Sequence, residues 1–233
     1  DRNDLKTLTA FVQNMANFSD DGGKTQPGAY GYRWRFHFHQ DQLAWAVSRL
    51  MTDPNDRRVV IQMYDANWDQ RAADNGGKDI PCNLIALPTV SVDNRLDLTV
   101  YNRSNDMIWG AYGANAVHFS VLQEFIANML GLPVGRYYQV SNNFHAYLST
   151  LDKAPKTWPW YNDESEDRNG DHDPYEAGIV HAMDMFPGMT VEEVYDDLSM
   201  FFKDPARIGI RSEFLRKIAC PMIMAHRAYK RWG

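Results

Sequence analysis

The chain's two cysteines, Cys82 and Cys220, are its first candidates for covalent chemistry. Cys220 is flanked by apolar residues, a setting that predicts an inert thiol in the core. Cys82 follows Pro81, which cannot donate a ladder hydrogen bond and so marks the start or the edge of a strand. Its polar neighbours predict partial exposure, and nearby arginines can hold a thiolate there. On these observations a nucleophile and an ordinary strand-entry cysteine both remain open.

A run of hydrogen-bonding side chains directly follows a predicted strand. The run consists of Asn102, Arg103, Ser104, Asn105 and Asp106. Arg103 and Ser104 together offer a guanidinium fork and a hydroxyl, which suit a phosphate, although a solvated turn has the same composition. The loop beyond the run, from Gly110 to Asn115, leads into a predicted helix whose N-terminus favours anions.

Two further residue pairs have spacings that suit a nucleotide. Arg57 and Arg58 stand directly before a predicted strand and form a second candidate phosphate site. His145 and Tyr147 are two residues apart, so in extended backbone they point to the same side. There the two side chains can hydrogen-bond one sugar hydroxyl together.

Two patterns resemble metal sites, but neither meets the requirements of one. Segment 167–173 is acidic, yet counted from Asp167 it lacks the glycine and the glutamate that an EF-hand loop needs, so a solvated loop is favoured. His37 and His39 would share one face of a strand. Because no third ligand is apparent, a polar strand face is favoured there, and we expect no metal.

Composition argues against several classes of function. The 233 residues carry a net charge of −6, which is unsuited to a nucleic-acid-binding surface. No apolar run approaches the roughly 18 residues of a transmembrane helix, and no secretory leader is visible. The two cysteines are too few for a disulfide framework and suggest a reducing compartment. We therefore expect a cytoplasmic protein with neither nucleic acid nor membrane as its partner.

Apolar periodicity predicts helices and strands that mix without strict alternation, which indicates an α+β fold. Helices are predicted over 5–17, 42–51, 117–130, 190–202 and 211–232, the last interrupted at Pro221. Strands are predicted over 59–64, which should be largely buried, and over 84–92, 96–101 and 137–140. Segment 153–178, rich in proline and acids, predicts a long surface loop within a single domain spanning 1–233.

Taken in chain order, these motifs resemble those of the thymidylate synthase superfamily. Arg57 and Arg58 resemble the family's arginine pair, and Pro81 with Cys82 resembles its proline-cysteine nucleophile. The run 103–106 resembles its arginine-serine-x-aspartate motif. Each motif is weak alone, but their common order makes the resemblance specific.

The remaining motifs extend the resemblance over about half of the chain. Gly110 and Asn115 resemble the glycine and the pyrimidine-reading asparagine of the family. His145 and Tyr147 resemble its histidine-x-tyrosine motif, and Tyr30 with the glycine after it resembles an upstream tyrosine-glycine segment.

The resemblance implies a homodimer with a mixed sheet and packed helices in three layers. It also implies folate-dependent one-carbon transfer to C5 of a pyrimidine nucleoside monophosphate. The thiolate of Cys82 would add to C6 of the base, and C5 would then attack 5,10-methylenetetrahydrofolate as co-substrate. The implied catalytic residues are Cys82, Asn115 and Asp106. The implied substrate-binding residues are Arg57, Arg58, Asn83, Asn102, Arg103, Ser104, His145 and Tyr147. The implied folate-binding residues are Asp106, Gly110 and Tyr30.

Several departures from the family pattern bear on the product. Asn83 stands where the family usually has histidine, and residues 142–143 replace the usual glycine-aspartate. The stretch between Gly110 and Asn115 is one residue longer than in the family. No tryptophan occurs over 14–18, where the synthases carry one near the one-carbon unit, and the C-terminal part differs. These differences can admit water, so a 5-hydroxymethyl product from a dUMP-type substrate is favoured.

Three alternatives to that function remain open at this point. They are a true thymidylate synthase that makes dTMP from dUMP, a hydroxymethylase of dCMP or CMP, and a degenerate nucleotide-binding scaffold. The first residues, 1–4, resemble those that follow the family's glutamate-bearing helix. We therefore expect that an N-terminal segment with that glutamate and a phosphate-binding arginine precedes this chain.

Overall fold

The structure, a computed structural model, describes residues 3–152, 184–206 and 208–232. The chain divides between His145 and Ala146 into two compact units. The expectation of one domain stays a prediction. The predicted loop over 153–178 and the acidic segment within it lie outside the described residues.

The first unit begins with two short helices where the sequence predicted one. Helix α1 spans Lys6–Phe11, and a 3₁₀ helix spans Gln13–Phe18. Val12 between them has φ −129° and ψ 84°, which is not helical. The prediction of one continuous helix over 5–17 is therefore wrong.

A short helix α2, Tyr30–Tyr32, continues directly into a π-helix over Arg33–His37. His37 ends that helix and His39 has a positive φ of 56°, so the predicted strand face is wrong. The helix is tied down by the fully buried Arg33, whose Nη2 donates to Oδ1 of Asp69 at 2.7 Å. Its Nε donates to a backbone carbonyl just before α2, which fixes the entry of that helix.

Three longer helices and a π-helix over Met107–Ala114 complete the described helical part of this unit. The longer helices are α3 (Gln42–Thr52), α4 (Ala66–Asp74) and α5 (Asn115–Leu130). Asp41 and Asp65 cap α3 and α4 by accepting hydrogen bonds from first-turn N–H groups. Gly131 ends α5 with φ 66°, a conformation that glycine adopts without strain.

A mixed four-stranded sheet forms the centre of the first unit. Its strands are β1 (Ile61–Gln62), β2 (Asn83–Val90), β3 (Leu96–Asn102) and β5 (Val134–Ser141), in the order β1-β2-β3-β5. The first two pairings are antiparallel, and β3 pairs with β5 in parallel. Two short strands, β4 (Asn105–Asp106) and β6 (Phe144–His145), form a separate parallel pair. The predicted α+β class, a mixed sheet with packed helices, is confirmed.

Strand β1 is shorter than the predicted strand over 59–64. Burial alternates along this segment: Val59, Ile61 and Met63 are buried, whereas Val60 and Gln62 are exposed. The segment is therefore half-buried rather than largely buried.

The two faces of the sheet differ in burial. Leu98 and Val100 of β3 are buried on the face that packs against α5, where Phe119 is also buried. On the other face, Tyr138 and Val140 of β5 remain 44% and 46% exposed. Because strand side chains alternate between faces, this contrast fixes the register of β3 and β5.

The second unit consists of helices in its described residues. These are α6 (Leu148–Leu151), α7 (Val191–Lys203), a π-helix (Leu215–Ala219) and α8 (Cys220–Trp232). Thr190 and Glu193 form the predicted capping box of α7.

Pro221 and Cys220 stand at the start of α8. The prediction that Pro221 interrupts this helix is wrong, because the π-helix continues directly into α8. A wider π-turn precedes Pro221, and proline is tolerated in a first helical turn. Cys220 is buried, and burial raises the pKa of its thiol, as expected of an inert core cysteine. No helix within the described residues is long and apolar enough to cross a membrane.

Candidate active site

Cys82 is partly buried directly before β2, on a segment that Arg103 holds in place. The backbone N–H of Arg103 donates to the carbonyl of Cys82 at 2.9 Å. Its Nε and Nη2 donate to the carbonyls of Pro81 and Ile80, each at 3.0 Å. These bonds keep a guanidinium beside the thiol-bearing segment. They also occupy the guanidinium edge that the sequence assigned to a phosphate.

Tyr30 lies beside the same segment. Its ring packs against Trp34 and Phe119, with centroids 6.3 and 5.7 Å away. Burial raises the pKa of Tyr30 and the neighbouring Cys82 raises it further, while a hydrogen bond from the backbone of Asn83 opposes the shift. The phenol therefore stays protonated near neutral pH and is available as a donor beside the thiol.

Backbone contacts hold the Tyr30 and Cys82 segments together. The N–H of Gly28 donates to Oδ2 of Asp79 at 2.7 Å, and the N–H of Lys78 donates to Asp20. A Cβ at position 28 would lie 2.8 Å from Oδ1 of Asp79, so this close approach needs glycine. Burial raises the pKa of Asp79.

A cluster of amide side chains adjoins the cysteine. Asn115, at the start of α5, donates from Nδ2 to Oδ1 of Asn83 at 3.3 Å and to Oδ1 of Asn105 at 3.2 Å. Asn83 is fully buried and Asn105 is 2% exposed. A Cβ at Gly110 would overlap Oδ1 of Asn105 and lie 3.0 Å from Nδ2 of Asn115. The cluster thus brings together three predicted site residues, Asn83, Gly110 and Asn115.

Strand β5 contributes two residues to the cluster that the sequence did not single out, Gln139 and Ser141. Nδ2 of Asn105 donates to Oε1 of Gln139 and to Oγ of Ser141, both at 3.0 Å. The predicted Asn102 is buried here too, with its Nδ2 3.5 Å from Oγ of Ser141. The sequence did contain a signal for these two residues, because polar side chains two positions apart in a strand share one face of the sheet. Here that face packs against a helix.

Asp106 and His145 meet where β4 pairs with β6. Oδ1 of Asp106 accepts a hydrogen bond from the N–H of Trp109 at 2.6 Å. Oδ2 of Asp106 is buried, and no group in the described part of the chain hydrogen-bonds it. Nδ1 of His145 lies 3.4 Å from the carbonyl oxygen of Asn143.

The remaining predicted site residues belong to other segments of the chain. Arg57 and Arg58 are exposed before β1, and Nε and Nη2 of Arg58 bind the carboxylate of Asp56 at 2.8 and 3.0 Å. Ser104 is half-buried in the turn before β4. Tyr147 belongs to the second unit, where it precedes α6. Within the described residues, no group of three or more His, Cys, Asp or Glu side chains could hold a metal ion.

Comparison with known proteins supplies the family. Residues 2–159 match the thymidylate synthase family model, and the chain belongs to that family. It is 46% identical to the deoxyuridylate hydroxymethyltransferase of Pseudomonas phage M6, over 98% of this chain and 64% of that protein. It is 39% identical to the enzyme of the same name from Bacillus phage SP01, over 63% of this chain and 40% of that protein.

A bacterial relative is named differently. The chain is 33% identical to a thymidylate synthase of Cereibacter sphaeroides, over 64% of this chain and 53% of that protein. The chain therefore spans between 40% and 64% of the length of these three relatives.

Proposed function

We propose that this chain carries the catalytic centre of an enzyme that transfers a one-carbon unit to C5 of dUMP and releases a 5-hydroxymethyl product. The observation that carries the proposal is the contact between Asn115 and Asn83. Asn83 directly follows Cys82, so an amide suited to a pyrimidine edge lies beside a candidate nucleophile. The names of the two phage relatives support uracil as the base and hydroxymethyl as the product.

The reaction starts with addition of the Cys82 thiolate to C6 of the base, which turns C5 into a nucleophile. C5 then bonds to the methylene carbon of 5,10-methylenetetrahydrofolate. Loss of the C5 proton and departure of tetrahydrofolate leave an exocyclic methylene. Water adds to that methylene, and the C6–S bond breaks to release the product. Because the thiol must stay reduced to act, we propose a cytoplasmic location.

The folate is proposed to lie near Asp106, Gly110 and Tyr30. The buried Oδ2 of Asp106, which accepts no hydrogen bond from the described residues, is an acceptor that an N–H group of a pterin suits. The protonated phenol of Tyr30 is a donor for the proton steps around C5.

A homodimer is proposed as the assembly. The sheet face away from α5 exposes a row of large side chains, among them Tyr101, Tyr138 and Val140. Adjacent exposed apolar residues on a sheet are typical of a surface that a partner covers. An identical copy is the occupant we propose, because a two-fold axis lets one face pair with itself.

The test uses the natural protein that carries this chain, with dUMP and 5,10-methylenetetrahydrofolate. Mass spectrometry of the nucleotide should show the hydroxymethyl product. A methyl product would favour the thymidylate synthase alternative, which the name of the Cereibacter relative supports. 5-Fluoro-dUMP with the folate should leave a covalent adduct on Cys82, since fluorine at C5 blocks the proton loss. Absence of any adduct would favour the scaffold alternative.

A further inference from the structure

The hydrogen bonds of the amide cluster run in a defined donor-to-acceptor direction, because the first of them ends at a backbone carbonyl. Nε2 of Gln139 donates to the carbonyl oxygen of Ala111 at 2.8 Å. A carbonyl accepts hydrogen bonds and cannot donate them, so the NH₂ group of Gln139 must face Ala111. Oε1 of Gln139 consequently faces the other way, towards Asn105.

This direction passes through Asn105 to Asn115. Oε1 of Gln139 accepts from Nδ2 of Asn105 at 3.0 Å, so Oδ1 of Asn105 is turned towards Asn115. Oδ1 of Asn105 then accepts from Nδ2 of Asn115 at 3.2 Å. Each amide in the series can take only this orientation while the first bond is kept.

Asn83 binds the same NH₂ group of Asn115 that Asn105 binds. Oδ1 of Asn83 accepts from Nδ2 of Asn115, whereas Nδ2 of Asn83 is buried without a hydrogen-bond partner among the described residues. Asn83 therefore has no anchor of its own and follows the orientation of Asn115. Asn115 donates to two protein acceptors, which leaves its Oδ1 as the atom to meet a ligand.

We propose that Gln139 is a positioning residue that acts through Asn105 to turn Oδ1 of Asn115 towards the base, so that the site prefers uracil to cytosine. The inference rests on the proposed function and adds the basis of its base specificity. N3 of uracil carries a hydrogen that Oδ1 can accept. N3 of cytosine is itself an acceptor and would face Oδ1 without a hydrogen between them.

The test measures dissociation constants for dUMP and dCMP, and kcat/KM for both, in the natural protein. Gln139→Met keeps a side chain of similar length but removes the amide. We expect it to lower the preference for dUMP over dCMP about tenfold, mainly through weaker dUMP binding. Gln139→Glu keeps an oxygen that accepts from Asn105, so it should retain most of the preference.

Gln123→Leu is the matched control. Gln123 is also buried, and its Nε2 donates to the carbonyls of Leu96 and Arg136, with no hydrogen bond to the cluster. This variant should lower thermal stability without changing the base preference. If Gln139→Met does not fold, Asn105→Ala removes the second residue of the series without adding volume and should lower the preference alike.

The outcomes separate the inference from the proposed function. A folded Gln139→Met or Asn105→Ala protein with an unchanged dUMP to dCMP ratio overturns the inference, while dUMP turnover still stands. A Gln123→Leu protein with an equal loss of preference also overturns the inference. The loss would then follow from removal of any buried glutamine and not from the hydrogen bonds of Gln139. A wild-type protein that neither binds nor converts dUMP contradicts the proposed function itself.

Discussion

At the scale of single residues, the proposed nucleophile Cys82 lies on a segment that its neighbours hold in place. Cys82 supplies the thiol, while Arg103 directs three hydrogen bonds to the backbone of residues 80–82. Asp79 ties that segment to the one that carries Tyr30. Loss of a positioning group should therefore lower the rate, whereas loss of the thiol removes the covalent step altogether.

Cys82→Ser should lower turnover of dUMP more than about a hundredfold, because a serine hydroxyl at neutral pH is a far weaker nucleophile than a thiolate. Circular dichroism and thermal unfolding should be nearly unchanged, since the two side chains are similar in size. The measurement is the rate of product formation together with 5-fluoro-dUMP adduct formation.

Cys220→Ser provides the control for this substitution. It makes the same chemical change at a buried thiol of the second unit and should leave adduct formation intact. Retention of a tenth or more of the rate in Cys82→Ser would contradict the covalent assignment.

At the scale of elements, the sequence predicted what local periodicity determines. Strand β3 and helix α5 match their predictions within two residues, because burial alternates along one and Gly131 ends the other. His37 was misassigned because histidine alternates with phenylalanine there, as in a strand, whereas the buried pair of Arg33 and Asp69 holds that segment as a π-helix.

The candidate site was predicted only where its residues belong to a recognisable motif. Cys82, Asn115 and Asp106 were predicted in this way. Gln139 was missed, because its part in the cluster depends on contacts with Ala111 and Asn105, which are distant in sequence. No local pattern reports such contacts.

Gly110→Ala should weaken dUMP binding about tenfold or more while the protein stays folded. The added Cβ would overlap Oδ1 of Asn105 and press on Nδ2 of Asn115, so the amide cluster must shift. Titration calorimetry with dUMP measures the effect.

Gly131→Ala, at the C-terminal end of α5, is the comparison. Its Cβ would meet no atom within 4 Å, but its φ of 66° strains alanine. That variant should lose thermal stability with little change in dUMP affinity. Equal affinities for dUMP in both variants and the wild type would contradict the role given to Gly110.

The carboxyl of Asp56, in the segment between α3 and β1, should make the stability of the protein depend on pH. Asp56 accepts hydrogen bonds from Arg58 and Arg49, and these hold the pKa of its carboxyl well below the ordinary value. A carboxyl with a depressed folded pKa stabilises the protein above its unfolded pKa, and this contribution is lost as the pH falls towards the folded value.

Asp56→Asn should therefore lower the Tm near pH 7, and the difference from wild type should shrink below about pH 4. Thermal unfolding of both proteins between about pH 7 and about pH 3 measures this. The exposed Asp93→Asn serves as control and should differ little from wild type at any pH. A Tm difference that stays constant over the whole range would exclude the ionised carboxylate as its cause.

At the scale of the whole molecule, the exposed face of the sheet and the arginine pair lie on neighbouring parts of the chain. Arg57 and Arg58 are separated from the exposed Val60 by one residue, the buried Val59, just before β1. If two copies pair through this face, the arginines of one subunit stand at the interface. They can then bind the nucleotide phosphate held by the other subunit, as the resemblance to the family implies.

A mixture of two inactive variants tests this shared site. Cys82→Ser lacks the nucleophile, and the double variant Arg57→Ala with Arg58→Ala lacks the phosphate ligands. In a mixed dimer, one site would keep its own Cys82 and receive both arginines from its partner. Random exchange of subunits should then restore about a quarter of the wild-type activity, because half of the dimers are mixed and each has one intact site.

The control mixes Cys82→Ser with Arg103→Ala. Arg103 belongs to the same subunit's site as Cys82, so no mixed dimer contains an intact site. The activity of this mixture should therefore not rise above that of the two variants measured separately. Light scattering should give a dimer for the wild type, and Tyr138→Lys, which places a charge on the exposed face, should shift it towards monomer. A monomeric wild type, or a dimer in which the first mixture stays inactive, would show that Arg57 and Arg58 serve no partner's phosphate.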